Sequence, residues 1–133
     1  MKSQANSILK IKYGNEIPFS EIDGGPKLTK GSFVSLYQGE LQGEGVLEEL
    51  KSYFSEASAT VYGLERITGH VGDKSGSFIL EHLGKFENGI LTSKRTVVPG
   101  SGTGDLKGIR GEIHFESGNA EEFPITFNYY FED

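Results

Sequence analysis

Eight runs of β-branched and aromatic residues, separated by turn residues, constrain the fold of this chain more than any other sequence feature. Nineteen glycines among 133 residues punctuate the runs, and no window keeps a sustained helical period. We predict strands at 8–13, 32–42, 45–54, 58–70, 76–87, 89–98, 109–116 and 124–131, with bounds good to about three residues. Asn88-Gly89 indicates a two-residue hairpin turn, because both residues tolerate positive φ angles.

One segment, residues 43–57, fits two types of secondary structure. Val46, Leu47, Leu50 and Phe54 have the spacing of one helix face, and short apolar patterns of this kind also occur in strands. We favour a strand here and keep a helix as the alternative.

Eight strands with short connections most simply close on themselves, because closure removes the exposed edges of a sheet. We therefore predict an all-β fold, a closed eight-stranded antiparallel meander barrel, as a single domain over residues 1–133. The interior of such a barrel is either just filled by side chains or holds one small ligand. Function therefore depends on which side chains point inward.

Charge and residue content exclude several classes of function. Nineteen acidic and thirteen basic residues give a net charge of −6, which opposes binding to nucleic acid or to an anionic membrane. The chain has no cysteine, so disulfides, thiolate metal sites and cysteine nucleophiles are ruled out. No continuous apolar segment resembles a signal peptide or a membrane span, and we expect a cytoplasmic protein.

The glycine-rich stretch "TVVPGSGTGDLKGIRG" (96–111) invites comparison with phosphate-binding loops. A dinucleotide fingerprint fails, because Asp105 stands where the third glycine of G-x-G-x-x-G belongs. The P-loop pattern fails too, because Lys107 precedes Gly108 and the next segment has the composition of a strand. We predict a tight corner of the barrel and no nucleotide cofactor.

The three histidines, His70, His82 and His114, lie on different predicted strands. None belongs to a pair with the spacing of zinc ligands, so we predict no metal site.

Strand alternation selects candidates for the barrel interior. His82 shares a face with Phe78 and Leu80, and Glu48 shares a face with Val46 and Leu50. The same test on every strand predicts an inward polar group that comprises Tyr37, Glu48, Glu65, His82, Arg95 and Tyr129.

This inward polar group has two interpretations. Buried charges must be paired, so one interpretation is a structural ion-pair network such as Glu65–Arg95. Apolar walls with a few convergent polar groups are also the usual anatomy of a small-molecule site.

Three segments, "GGPKLTKGSFVSLYQGELQGEG" (24–45), "GLERITGHVGDKSGSFILEHLGKF" (63–86) and "TVVPGSGTGDLKGIRGE" (96–112), together with the closing "FNYYF", resemble the bacterial domain-of-unknown-function family DUF 3224. The resemblance covers about residues 9 to 131. It implies a closed eight-stranded barrel like that of allene oxide cyclase, with an outline similar to lipocalins. It implies no catalytic residues.

Three functional hypotheses stay open at this point. The first is a barrel that binds a small organic acid, held by Arg95, or another compact apolar ligand. The second is a cofactor-free isomerase or cyclase that uses Glu65 or Glu48 together with His82 for proton transfer. The third is a structural module with a packed interior, and a homo-oligomer is compatible with any of the three.

Overall fold

The structure is a computed structural model that describes residues 2–118 and 121–132. Eight strands follow one another along the chain: β1 (Ser3–Ser20), β2 (Lys27–Gly39), β3 (Leu41–Ser55), β4 (Ser58–Val71), β5 (Lys74–Glu87), β6 (Ile90–Val97), β7 (Ile109–Glu116) and β8 (Glu122–Phe131). The helical structure in the described residues consists of one 3₁₀ turn, Gly104–Leu106. No helix in the described residues has the length and apolarity needed to cross a membrane.

Each strand pairs in antiparallel orientation with the next, and β8 pairs with β1 to close the barrel. The predicted all-β, closed eight-stranded antiparallel meander barrel is thus confirmed. Residues 43–57, for which a helix was the alternative, lie mostly in β3. The largest error in strand bounds concerns β1, predicted at 8–13 and observed at Ser3–Ser20. Its inward side chains near the start, Ala5 and Ser7, are too small to give an apolar pattern.

The barrel has two distinct ends. The hairpin end carries the β1–β2, β3–β4, β5–β6 and β7–β8 connections, and the loop end carries the other three. At the hairpin end, Asn88 and Gly89 form the predicted turn with φ angles of 52° and 83°. At the loop end, the glycine-rich stretch forms the predicted corner: the Thr103 amide donates to Ser77 of β5 at 2.9 Å, and the chain continues into β7.

An apolar core fills the barrel toward the loop end. Leu41 and Val71 lie beside the connections there, and Leu106 of the glycine-rich stretch is buried in the same cluster. Farther inside, the Phe78 and Phe127 rings stack with centroids 5.4 Å apart. Apart from Ser7, which bonds to Leu41 at the loop end, the buried polar side chains lie toward the middle of the barrel or the hairpin end.

The outer face of β3, β4 and β5 is unusually apolar for a surface. Val46, Leu50, Tyr62, Leu64 and Leu83 all point outward and are 47–56% exposed. Apolar residues thus occur on both faces of these strands, which weakens any inside–outside assignment based on hydrophobicity alone.

Candidate functional site

A carboxylate buried near the middle of the barrel, that of Glu65 on β4, organises the interior polar group. The Tyr37 hydroxyl of β2 donates to Oε2 at 2.7 Å, and His82 Nε2 of β5 lies 2.8 Å from Oε1. All three residues are 1% exposed. The prediction that Tyr37, Glu65 and His82 share the interior is confirmed by their positions.

A glycine on the neighbouring strand makes room for this carboxylate. A Cβ atom added to Gly45 would lie 2.0 Å from Glu65 Oε2. Gly45 is itself buried on the inner face of β3, so the space above it is occupied by the Glu65 side chain instead of its own. The position of the acid thus depends on the absence of a side chain across the sheet.

The protonation states of the pair follow from burial and hydrogen bonding. Burial alone would raise the pKa of Glu65, but the His82 hydrogen bond, the charge of Arg95 and the Tyr37 hydroxyl together hold it below its usual value. Burial lowers the pKa of His82, and the Glu65 hydrogen bond opposes this without reversing it. At neutral pH the carboxylate is therefore ionised and the imidazole is neutral.

These charge states also assign the imidazole tautomer. An ionised carboxylate only accepts hydrogen bonds, so His82 Nε2 carries the proton and Nδ1 is left as an acceptor. Nδ1 is buried, and among the residues that the structure describes it has no hydrogen-bond partner.

Arg95 of β6 lies directly opposite His82 in the strand register and is 5% exposed. Its Nε–H donates to Ser93 Oγ at 3.0 Å, and the guanidinium lies 4.1 Å from the centroid of the Phe115 ring. No carboxylate in the described part of the chain forms a salt bridge with it. The Glu65–Arg95 salt bridge, the example given for a structural network, does not form, because Glu65 pairs with His82.

Glu48 was predicted to point inward, and this is also wrong. It faces solvent, with its side chain 53% exposed and 3.5 Å from Lys30 Nζ. The inward acid of β3 is Glu49, which is 5% exposed and lies 3.4 Å from Lys51 Nζ. The inner face of this strand carries Gly45 and Glu49 where apolar residues were expected, so the apolar pattern selected the outer face.

The sequence prediction also missed a polar cluster at the hairpin end, built around Glu16 of β1. Its carboxylate accepts hydrogen bonds from Thr29 at 2.8 Å, Lys51 at 2.9 Å and Tyr53 at 2.7 Å. Lys51 connects this cluster to Glu49 deeper inside. Glu16 lies beyond the predicted end of the first strand, after a register shift that changes which side chains face inward.

Tyr129, the remaining predicted candidate, lies apart from the polar group. It is partly buried against the core and stacks on Phe127 with ring centroids 5.3 Å apart. It contributes to an apolar wall, and we find no contact that joins it to Glu65.

The other two histidines lie outside the interior. His70 Nδ1 bonds to the Gly72 carbonyl oxygen at the β4–β5 turn, and the His114 side chain is 68% exposed. In the described residues no three side chains of the metal-ligating types lie together.

Comparison with known proteins places the chain in a family. A family model described as "Protein of unknown function (DUF3224)" matches residues 5–129. The chain belongs to this family. A crystal structure of a protein with unknown function from the DUF3224 family of Shewanella oneidensis MR-1 is similar over 100% of both chains, with 23% sequence identity and a TM-score of 0.82. No curated protein matches the sequence.

Membership of the DUF3224 family confirms the resemblance seen in the sequence motifs. At 23% identity, the related structure supports the barrel fold and carries no information about a ligand. The likeness to allene oxide cyclase stays a prediction. The function of this DUF3224 protein must therefore be argued from the geometry of its interior.

Proposed function

We propose that this protein binds a small carboxylic acid inside the barrel, with the carboxylate held by Arg95 beside His82. One observation carries the proposal: His82 has a buried Nδ1 without a hydrogen-bond partner among the described residues, and Arg95, opposite it on the neighbouring strand, has no salt bridge to a described carboxylate. The interior of an eight-stranded barrel can hold one small ligand. Apolar walls with few polar groups are typical of such sites.

The buried guanidinium of Arg95 is the strongest argument for an anionic ligand. A guanidinium has five N–H donors, and the Ser93 bond uses one of them. The Arg95 charge acts on the Glu65 carboxylate without a direct salt bridge, whereas a bound carboxylate can accept two parallel hydrogen bonds from the planar fork. A carboxylic acid would therefore supply the direct ionic contact that Glu65 does not.

Apolar side chains surround this position. Ile113 lies opposite Arg95 on β7, Phe115 packs against the guanidinium, and Leu80 is fully buried on β5. An acid with a compact apolar body fits these walls better than a fully polar one.

The hairpin end offers the route by which a ligand would enter. The pairing of β1 with β8 ends at Lys10 and Glu122, and residues 11–20 pair with β2 alone. Glu16 of this segment and its partner Lys51 of β3 keep side chains that are 28% and 14% exposed. We infer that the protein meets its ligand in the cytoplasm, since a chain without cysteine does not need an oxidising compartment to form disulfides.

A thermal-shift screen of small organic and fatty acids tests the proposal. We expect a concentration-dependent rise in Tm for the wild type and for Lys94→Gln, which removes a cation on the outside of the same strand. Arg95→Gln should abolish the shift, and Arg95→Lys, which keeps the charge without the planar fork, should reduce it. Absence of any shift across the screen would support the packed structural module instead.

The same geometry favours a second candidate, acid–base catalysis on the bound acid. Glu65 orients the neutral imidazole of His82 and would stabilise the imidazolium formed when Nδ1 takes a proton. Incubation of a bound acid in D₂O tests this candidate, because proton removal next to the carboxylate leads to deuterium incorporation visible by NMR. Incorporation should be lost in His82→Phe, and a bound acid that stays unlabelled would exclude the reaction.

A further inference from the structure

We infer that the ligand carries a hydrogen-bond donor, a hydroxyl or an ammonium group, on the carbon next to its carboxylate, and that His82 Nδ1 accepts this hydrogen bond. The inference rests on the proposed carboxylic-acid site. It adds a second recognition contact to Arg95 and thereby narrows the class of ligand.

The Glu65 carboxylate determines what His82 can bind. One of its oxygens accepts from the Tyr37 hydroxyl and the other faces Nε2, so both oxygens have a donor. Rotating the ring would break the 2.8 Å bond to Glu65, and moving the proton to Nδ1 would place two acceptors against each other. Nδ1 is therefore held as an acceptor, and a donor on the ligand can satisfy it.

Leaving this acceptor unsatisfied is unfavourable. Nδ1 is buried and has no partner among the described residues. A buried polar atom without a hydrogen bond costs the desolvation free energy of that atom, and such atoms are rare in folded proteins. A ligand that donates to Nδ1 removes this cost, whereas a ligand that places a methylene there retains it.

The register relates the two recognition groups in space. His82 and Arg95 are directly opposite on β5 and β6, and Cβ atoms of such pairs are about 4.5–5.5 Å apart. One small molecule can therefore meet both side chains if its donor lies within one or two carbons of its carboxylate. Acids substituted at carbon 2 are the shortest compounds with this arrangement.

The charge of the interior distinguishes the two kinds of donor. With the imidazole neutral, the charged side chains that we assign to the interior among the described residues are Glu49, Glu65 and Arg95, which are buried, and Glu16 and Lys51 at the hairpin end, which are partly exposed. Three carboxylates against two cations leave an excess of one negative charge, to which the ligand adds its own carboxylate. An ammonium group offsets that addition and a hydroxyl does not, so we expect the amino acid to bind more tightly than the hydroxy acid.

Three matched probes, phenylacetate, mandelate and phenylglycine, test the inference by isothermal titration calorimetry. They share a carboxylate and an apolar ring and differ at carbon 2 by hydrogen, hydroxyl or ammonium. We expect mandelate to bind the wild type about tenfold more tightly than phenylacetate, the gain expected from one additional net hydrogen bond, and phenylglycine to bind more tightly still. In His82→Phe, which keeps a flat ring without the acceptor, mandelate and phenylacetate should agree within about twofold, and phenylglycine should keep only its charge advantage.

The outcomes separate this inference from the proposed function. If phenylacetate binds as tightly as mandelate and phenylglycine to the wild type, the donor is not recognised and the inference is wrong, while the carboxylate site stands. If no acid binds in either experiment, the proposed site itself is wrong.

A measurement on the wild type tests the inference even if His82→Phe does not fold. In ¹⁵N NMR spectra of the wild type at neutral pH, His82 should show a protonated Nε2 and an unprotonated Nδ1. Mandelate should shift the Nδ1 resonance, while the exposed His114 serves as an internal reference. A proton on Nδ1 in the free protein, or an Nδ1 resonance that saturating mandelate leaves unchanged, would overturn the inference.

Discussion

Replacing Gly45 with alanine perturbs the Glu65 carboxylate without touching any polar group directly. The backbone φ of Gly45 lies outside the positive range that only glycine adopts readily, so alanine fits the backbone without strain. The added methyl carbon would lie 2.0 Å from Oε2 and 2.9 Å from Cδ of Glu65. The carboxylate must therefore move while the strand can stay in place.

The size of the effect follows from this displacement. Ordinary contact begins at 3.4 Å, so Oε2 has to move by about 1.4 Å, the difference from 2.0 Å. A shift of that size breaks the 2.7 Å bond from Tyr37 and weakens the 2.8 Å bond to His82. Hydrogen bonds to charged groups contribute about 1.5–3 kcal/mol each to stability. Alanine also makes the unfolded chain less flexible than glycine does, which stabilises the folded state by about 0.4–1 kcal/mol. We expect a net loss of about 2–3 kcal/mol in the free energy of unfolding.

Urea denaturation in a double-mutant cycle measures this effect. Tyrosine fluorescence is a suitable signal, because the chain has six tyrosines and no tryptophan. We compare Gly45→Ala in the wild type with Gly45→Ala in Glu65→Ala, where no carboxylate remains to be displaced. The substitution should cost about 2–3 kcal/mol in the first background and less than about 0.5 kcal/mol in the second. Gly118→Ala, which meets no atom within 4 Å, is the control.

Equal costs of Gly45→Ala in both backgrounds would refute the reasoning. That result would mean that the methyl group disturbs the backbone or another neighbour, and that the Glu65 position does not depend on the space above Gly45. A loss in Gly118→Ala similar to that in Gly45→Ala would point to a general effect of removing glycine.

Three further predictions concern the same interior. Tyr37→Phe removes one donor to Glu65 and should lower the free energy of unfolding by about 1.5–3 kcal/mol in urea titrations, with no loss expected if the bond is absent. Because the pKa of His82 is lowered on folding, the unfolded chain binds the proton first as pH falls from about 7 to 5, so stability should decrease by up to about 1.4 kcal/mol per pH unit. That dependence of stability on pH between about 7 and 5 should be absent in His82→Phe. The lowered pKa of Glu65 also makes stability fall as the pH falls, but only below about pH 4.5. Glu48→Gln should change stability by less than about 0.5 kcal/mol and Glu49→Gln should cost about 1–2 kcal/mol, while equal effects would contradict the assignment of Glu49 as the inward acid.

Strand alternation was sufficient to locate most of the interior polar group. Glu65, His82 and Arg95 each lie on a buried strand face that also carries apolar side chains, such as Ile67, Leu80 and Val97 respectively. Alternation carries no information about partners across the barrel, since a pair of buried charges can be arranged in several ways. The choice of His82 over Arg95 as the partner of Glu65 is determined by strand register and shear, which the sequence does not display.

The error at β3 has a specific physical cause. The inner face of this strand carries Gly45 because a large side chain from β4, that of Glu65, occupies the space. It also carries the buried acid Glu49, while Leu50 is half exposed on the outer face. A rule that places the more apolar face of a strand inside the barrel fails where a side chain from the neighbouring strand occupies the space above a glycine. Glycines at alternate positions of a strand are the signal that could have corrected the assignment.

The polar interior is hard to explain as a purely structural core. Buried ion pairs seldom stabilise a fold more than apolar side chains of the same shape, so a packed core gains little from Glu65, His82 and Arg95. A structural network would at least satisfy its own members. Here Tyr37 and His82 satisfy Glu65, yet Nδ1 has no described partner and Arg95 has no described carboxylate. His82 lacks a hydrogen-bond donor and Arg95 lacks an anion, and the two residues lie opposite each other on β5 and β6. A single hydroxy or amino acid would supply both partners.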